Sequence, residues 1–272
     1  MDQIFRLRAF PKTIDGGNKA AVYLFADNLT SLEMQKIAKD ISYSETAFVS
    51  KSQKADYKVR FFTPKFEVDL CGHATIATFN ILRDLNIIEE GHYKQETKAG
   101  ILSLEVTKDM VYMEQSKPVF GSIIPFEELN DCFKNLDFHP DLKPQILSTG
   151  LREIFLPLKD KNTLDKLKPN YKKIIQLSRK YQIIGVHAFS LDNEIDAYGR
   201  NFAPIIGINE ESATGTSNGA LGCYLHKYLN QKNEYIFRQG YQMKQPSEII
   251  ANIQTDKQKI KSVWVGGSAS LI

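Results

Sequence analysis

One unit of sequence occurs twice in this chain of 272 residues. Setting DYKVRFFTP, from Asp56, over DAYGRNFAP, from Asp196, at an offset of 140 residues aligns Asp56 with Asp196, Arg60 with Arg200, Phe62 with Phe202 and Pro64 with Pro204. Downstream the offset becomes 143, which sets Gly72 over Gly215, Ala77 over Ala220 and Leu82 over Leu225; upstream, Ala47-Phe48 falls over Ala188-Phe189 at 141. The parts agree in type and order as well: a strand, an R-x-F-x-P segment, a polar loop, a glycine and an apolar helix. Duplication of one supersecondary unit accounts for such a pattern. The boundary is expected near residues 116–125, with one half over 1–118, able to take in the C-terminal strand 263–272, and the other over 119–262.

Short β-branched and aromatic segments recur along both halves: DQIFRLRAF, AAVYLF, YKVRFF, FEVDL, ILSLEV, MVYMEQ, REIFLPL, QIIGVHAFS, EYIFRQG and SVWVGG. They read as strands and outnumber the helices, giving an α+β chain. SLEMQKIAKDI is an amphipathic helix with Met34, Ile37, Ala38 and Ile41 on one face, and Thr30 with Glu33 offers it a capping box. The stretches from Gly72 and from Gly215 differ, being small or apolar around nearly their whole circumference, as buried helices are. Each begins at a glycine after a polar loop, so its first turn carries free backbone N–H groups. If a pseudo-two-fold axis relates the halves, both N-termini face one shared cleft and favour an anion such as a substrate carboxylate. The competing reading is that neighbouring loops cap both starts.

Composition removes several classes of function. Lys and Arg number 35 against 32 Asp and Glu, a net charge of +3 with no long like-charge block, so nucleic acid is not an expected partner. Cys71, Cys132 and Cys223 are odd in number, far apart and without CxxC spacing, which points away from a disulfide scaffold or thiolate metal site and towards a reducing compartment. No uncharged apolar segment reaches the ~18 residues of a membrane helix, and MDQIFRLRAF lacks the pattern of a leader, so a cytoplasmic protein is expected. The glycines form neither GxGxxG nor GxxxxGK[ST]; no cofactor is expected. His92, His139, His187 and His226 show no ligand spacing with His73, so no metal is expected either.

GNKAAVYLF, SETAFV, RFFTPKFEVDLCGHAT, FAPIIGINEESATGTSNGALG, the RQG at Arg238 and the final VGGSASLI occur in an order that resembles the phenazine biosynthesis isomerase-like (PhzF-like) family, within the diaminopimelate epimerase-like superfamily. The resemblance covers nearly the whole chain. It implies two pseudo-symmetric domains, each a β-sheet or barrel wrapped around a central helix, an active site between them and a homodimer. It also implies an isomerase that moves a proton within a small carboxylated, cyclic or amino-acid-derived metabolite.

Glu45, in the polar run after the first amphipathic helix, matches the family acid/base; without the resemblance it reads as a solvated helix-end carboxylate. At an offset of 141 its repeat partner is Val186, so the carboxylate stands outside the duplicated framework. Proton shuttling requires partial burial to keep its pKa near the working pH, and closure of the halves is expected to raise that pKa. His73 matches a substrate-contacting histidine. Asn18, Gly72, Glu211, Gly215 and Thr216 are the other expected substrate-binding positions. Asn18-Lys19, Glu211-Ser212, Thr216 and Lys244-Gln245 depart from the common family residues, which puts any particular family substrate in doubt. In the epimerase branch a second cysteine precedes the second glycine, and here Thr214 stands there. A hydroxyl is too weak an acid or base for that role, so two-base racemisation is disfavoured. Cys71 is read as a buried small residue, with an accessory reactive thiol as the alternative. An amino-acid racemase or epimerase, and a catalytically silent binding protein of the same fold, remain as alternatives.

Overall fold

The computed structural model describes residues 4–257 and 259–272; Asp2 and Gln3 of the first expected strand lie outside the described residues. No helix among those residues is long and apolar enough to cross a membrane. The chain divides into two compact units, one reaching to Glu114 and joined by Gly266–Ile272, the other running Gln115–Val265.

In the first unit, helix α1 (Ser31–Ile41) starts at the expected capping box: Glu33 N–H donates to Thr30 Oγ1 at 3.3 Å, and Thr30 N–H donates to the Glu33 carboxylate at 2.8 Å. It ends where Ser42 turns left-handed, with φ 58°, and the strand Glu45–Ser50 follows after two residues. That strand lies parallel to Asn18–Tyr23 and antiparallel to Tyr57–Phe62, which in turn lies parallel to Gly91–Thr97. Phe48 and Phe62 pack with Met34 and Ala38 of α1. The two-residue alternation that turns Phe48 to α1 turns Glu45 and Ala47 the other way, towards helix α2 (Gly72–Asp84).

α2 is buried from His73 to Leu82 and packs against Ile4–Ala9, Asn18–Tyr23, Glu45–Ser50 and Ala269–Leu271, so the sheet surrounds it. A polar residue so placed must find its hydrogen bonds locally. Thr75, Thr78 and Asn80 donate to the carbonyls of Cys71, Ala74 and Ile76, four residues back along the helix. Ile76, Phe79, Ile81 and Leu82 supply the apolar burial, each worth ~1.5–3 kcal/mol.

The second unit repeats the plan. Arg152–Leu158 runs parallel to Gly185–Leu191, which is antiparallel to Ala197–Ala203, itself parallel to Glu234–Gln239. Helices α3 (Lys161–Lys166) and α4 (Tyr171–Tyr181) cover one face, where Ile154, Leu156 and Leu158 meet Leu164, Ile174 and Leu177. Helix α5 (Gly215–Tyr228) takes the other, where Phe155 and Phe189 meet Ala220, Leu221 and Tyr224. Coverage on both faces is why Glu153–Leu158 is buried at every position, as parallel strands are.

The repeated residues prove to be scaffold. Arg60 grips Glu67 through two nitrogens at 2.7 and 2.9 Å and lies over the Phe62 ring at 5.1 Å; Arg200 grips Glu210 at 2.8 and 2.9 Å and lies over Phe202 at 5.0 Å. Asp56 accepts from Lys94 N–H and Asp196 from Ile236 N–H, each one residue before the parallel pairing with the neighbouring strand begins. Because Pro64 matches Pro204 whereas Glu67 matches Glu210, the three extra residues of the second unit fall in the turn at Pro204–Ile206 and Gly207.

The ladders correct one alignment. Thr46 faces Phe62 just as Val186 faces Phe202, so the offset of 140 holds here and the partner of Glu45 is Gly185, not Val186. The apparent offset of 141 came from the chance recurrence of Ala-Phe. Gly185 has no room for more: a Cβ there falls 2.0 Å from the Phe202 carbonyl oxygen.

Candidate active site

The first unit brings Glu45, Cys71, Gly72, His73 and Asn18 together at the start of α2. Gly17, with φ 88° and a would-be Cβ only 2.6 Å from the Ala9 carbonyl oxygen, makes the turn that delivers Asn18 to the head of its strand. Asn18 Nδ2 lies 3.3 Å from His73 Nδ1. On the other side of the ring, Nε2 lies 3.2 Å from Glu45 Oε2 and 3.3 Å from Ser44 Oγ. Cys71 Sγ is 3.5 Å from Nδ1. Glu45 Oε2 is sealed from solvent and makes no well-aligned hydrogen bond, so its contact with the imidazole is one of charge and distance rather than an in-line bond. Cys71 is the N-cap of α2, and its side chain makes no capping hydrogen bond to that first turn.

Burial pushes the Glu45 carboxyl up, but the His73 ring, with Ser44 and Cys71, outweighs it and leaves the carboxyl below its ordinary value. This reverses the expected upward shift, because the histidine is closer than the sequence alone disclosed. Burial likewise works against the charged imidazole of His73, yet its neighbours hold it well above its ordinary value. Cys71 comes first among those neighbours and Glu45 second; with the thiol protonated, Glu45 is the one that carries a full negative charge. The Cys71 thiol, pushed up to about 11 by burial first and by the charge of Glu45 second, is neutral near pH 7. Glu45 and His73 therefore form a buried ion pair. In the charged form both ring nitrogens donate, which requires Asn18 to turn its amide oxygen to Nδ1; the present amide nitrogen at 3.3 Å suits the neutral ring.

The second unit gathers Glu211, Gly215 and Thr216 at the start of α5, which also lacks a side-chain cap. Thr214 Oγ1 donates to Glu211 Oε2 at 2.7 Å and accepts from Gln239 Nε2 at 3.0 Å. The Thr214 hydroxyl is thus committed to structure. Thr149 Oγ1 donates to the Thr216 carbonyl at 3.0 Å.

Sequence reasoning missed a buried group beneath that turn. Glu153 lies opposite Gly185 on the parallel ladder, the place Ala20 takes opposite Glu45, so the same pair of ladder positions carries its carboxylate on one strand in the first unit and on the other strand in the second. Ser217 donates to Glu153 Oε2, and Asn201 Nδ2 donates to Oε1 at 2.7 Å. Burial pushes Glu153 up to about 7, against these two donors and with the charge of Glu211 adding to the rise. His187, 3.2 Å from Asn201, is pushed down to about 3 by burial and supplies no charge. The available signal was a Glu in the inward register of an otherwise apolar strand, REIFLPL.

Residues 7–272 match the family model described as phenazine biosynthesis-like protein (PhzC-PhzF). An uncharacterized isomerase of Clostridium acetobutylicum is 38% identical, over 99% of this chain and 95% of the relative. The uncharacterized isomerase YfhB of Bacillus subtilis is 35% identical, over 89% of this chain and 87% of its own length. The crystal structure of a Bacillus anthracis phenazine biosynthesis protein of the PhzF family superposes with a TM-score of 0.91 at 30% identity, covering 99% of this chain and 96% of that one. With a helix held inside a sheet in each unit and these matches along the chain, the protein belongs to the phenazine biosynthesis-like (PhzF) family and is an isomerase.

Proposed function

We propose that this isomerase moves a proton within a small carboxylated metabolite, cyclic or derived from an amino acid, with Glu45 as the single acid/base. The observation that carries the reading is the buried Glu45–His73 pair at 3.2 Å beside the start of α2. In this reading the N–H groups of Gly72 and His73 receive the substrate carboxylate, where the helix dipole favours negative charge. A bound carboxylate then competes with Glu45 for His73. It raises the pKa of Glu45 by like charge, turning a weak base into one able to take a carbon-bound proton. Glu45 returns that proton to another carbon, and His73 carries the complementary charge throughout. Asn18, Glu211, Gly215 and Thr216 are assigned to binding polar groups of the substrate. The reading needs no cofactor, and it includes a homodimer, which sedimentation analysis checks.

Two-base racemisation is disfavoured because the Thr214 hydroxyl is tied to Glu211 and Gln239. The test is hydrogen exchange in deuterated water with a panel of small cyclic and α-amino carboxylic acids, comparing wild type with Glu45→Gln. Exchange that disappears in Glu45→Gln supports the reading. Exchange that persists there at the wild-type rate removes Glu45 as carrier.

A further inference from the structure

Three donor atoms of different chemistry crowd the start of α2. Glu45 Oε2, Cys71 Sγ and a His73 ring nitrogen lie within 4.8 Å of one another, and all three residues are buried. His73 Nε2 stands 3.2 Å from Oε2 and 3.8 Å from Sγ. Zinc bonds of about 2.0–2.2 Å to nitrogen and oxygen and about 2.3 Å to sulfur, set at tetrahedral angles, separate N from O by about 3.4 Å and N from S by about 3.6 Å. The two gaps at Nε2 agree to ~0.2 Å with that geometry, the oxygen and sulfur lie within 4.8 Å of each other, and Sγ is 3.5 Å from Nδ1. As hydrogen bonds, by contrast, they are long or badly aligned: Oε2 finds no in-line donor although it is sealed from water and directed at the ring.

We propose that Glu45, Cys71 and His73 form a binding site for Zn2+, and that its occupancy excludes the use of Glu45 as proton carrier. Carboxylate, imidazole and thiolate together suit a borderline-soft cation, whereas Mg2+ and Ca2+ demand oxygen alone. With its amide turned so that the oxygen accepts from Nδ1–H, Asn18, now 3.3 Å from Nδ1, supplies the outer contact that leaves Nε2 to face the metal. Water or the Ser44 hydroxyl, 3.3 Å from Nε2, completes four ligands. On binding, the Cys71 thiol and any Nε2–H give their protons to solvent, and nothing is oxidised or reduced. The site lies within one unit; the metal binding stands on the geometry alone, and only the exclusion of Glu45 rests on the isomerase reading.

The test is titration of the metal-free, reduced full chain with Co2+ as a spectroscopic stand-in. The expected result is one Co2+ per chain, with a near-ultraviolet thiolate charge-transfer band and the intense visible bands of four-coordination, both abolished by one equivalent of Zn2+. Cys71→Ser removes the charge-transfer band, Glu45→Gln and His73→Gln weaken binding at least ~10-fold, and Cys132→Ser retains the spectrum. Circular dichroism establishes that each variant is folded. The wild-type titration alone decides against the proposal if it gives only the weak spectrum of six-coordinate cobalt without a sulfur band. A thiolate band that survives in Cys71→Ser also overturns it.

Discussion

The Glu153 cluster makes a quantitative demand on stability. Its folded-state pKa of about 7 exceeds the ordinary 4.5, so the folded chain binds this proton more tightly than the unfolded one. A raised carboxyl stabilises the fold fully below the ordinary value, and that contribution is lost as pH climbs from about 4.5 through about 7. At ~1.36 kcal/mol per unit, the loss between pH ~5 and pH ~8 is about 2–3 kcal/mol. Glu153→Gln keeps the shape of the side chain and carries no charge, so it deletes that dependence. Urea unfolding of both proteins at the two pH values should therefore show Glu153→Gln gaining about 2–3 kcal/mol on wild type at the higher pH. Working with the difference removes the other titrating groups, His73 and Glu45 among them. A difference that stays constant between the two pH values would refute the reasoning, since it would mean that burial under α5 does not raise Glu153 above its ordinary value.

The other predictions concern residues whose roles are separable. In Glu45→Gln the imidazole of His73 loses its charged partner while its burial and Cys71 remain, so its pKa should fall, as proton NMR titration of the ring would record. Gly185→Ala places a Cβ 2.0 Å from the backbone oxygen of Phe202, which no side-chain adjustment relieves. A destabilisation of at least ~3 kcal/mol or failure to fold is expected in chemical denaturation. Thr30→Ala removes half of the capping box and should cost about 1 kcal/mol by the same assay.

Much of this architecture was legible because the repeat is written in residues that do structural work. Arg60, Phe62 and Asp56 recur as Arg200, Phe202 and Asp196 since each unit needs the same ion pair, the same ring contact and the same pinned N–H. The two apolar helices declared their burial through composition, and Thr30 with Glu33 fixed the start of α1. Pairing register was not legible to one residue, because Ala-Phe recurs on a strand where several small and aromatic residues alternate. The direction of the Glu45 shift was also hidden: it depends on 3.2 Å of space between residues 28 positions apart, which no local pattern encodes. Glu153 escaped for a related reason. A charged residue beside Arg152 at the edge of a strand reads as solvated until its register and the covering helix are known.

The central claim is that one carboxylate carries the proton. Its most direct test takes an acid found to exchange with the wild-type protein, deuterated at the carbon that loses its hydrogen, and follows the label during turnover in ordinary water. A single carrier in a buried site predicts that part of the deuterium reappears at the accepting carbon and that Glu45→Gln slows turnover by ~10²–10⁴-fold. Turnover by Glu45→Gln at the wild-type rate would contradict it.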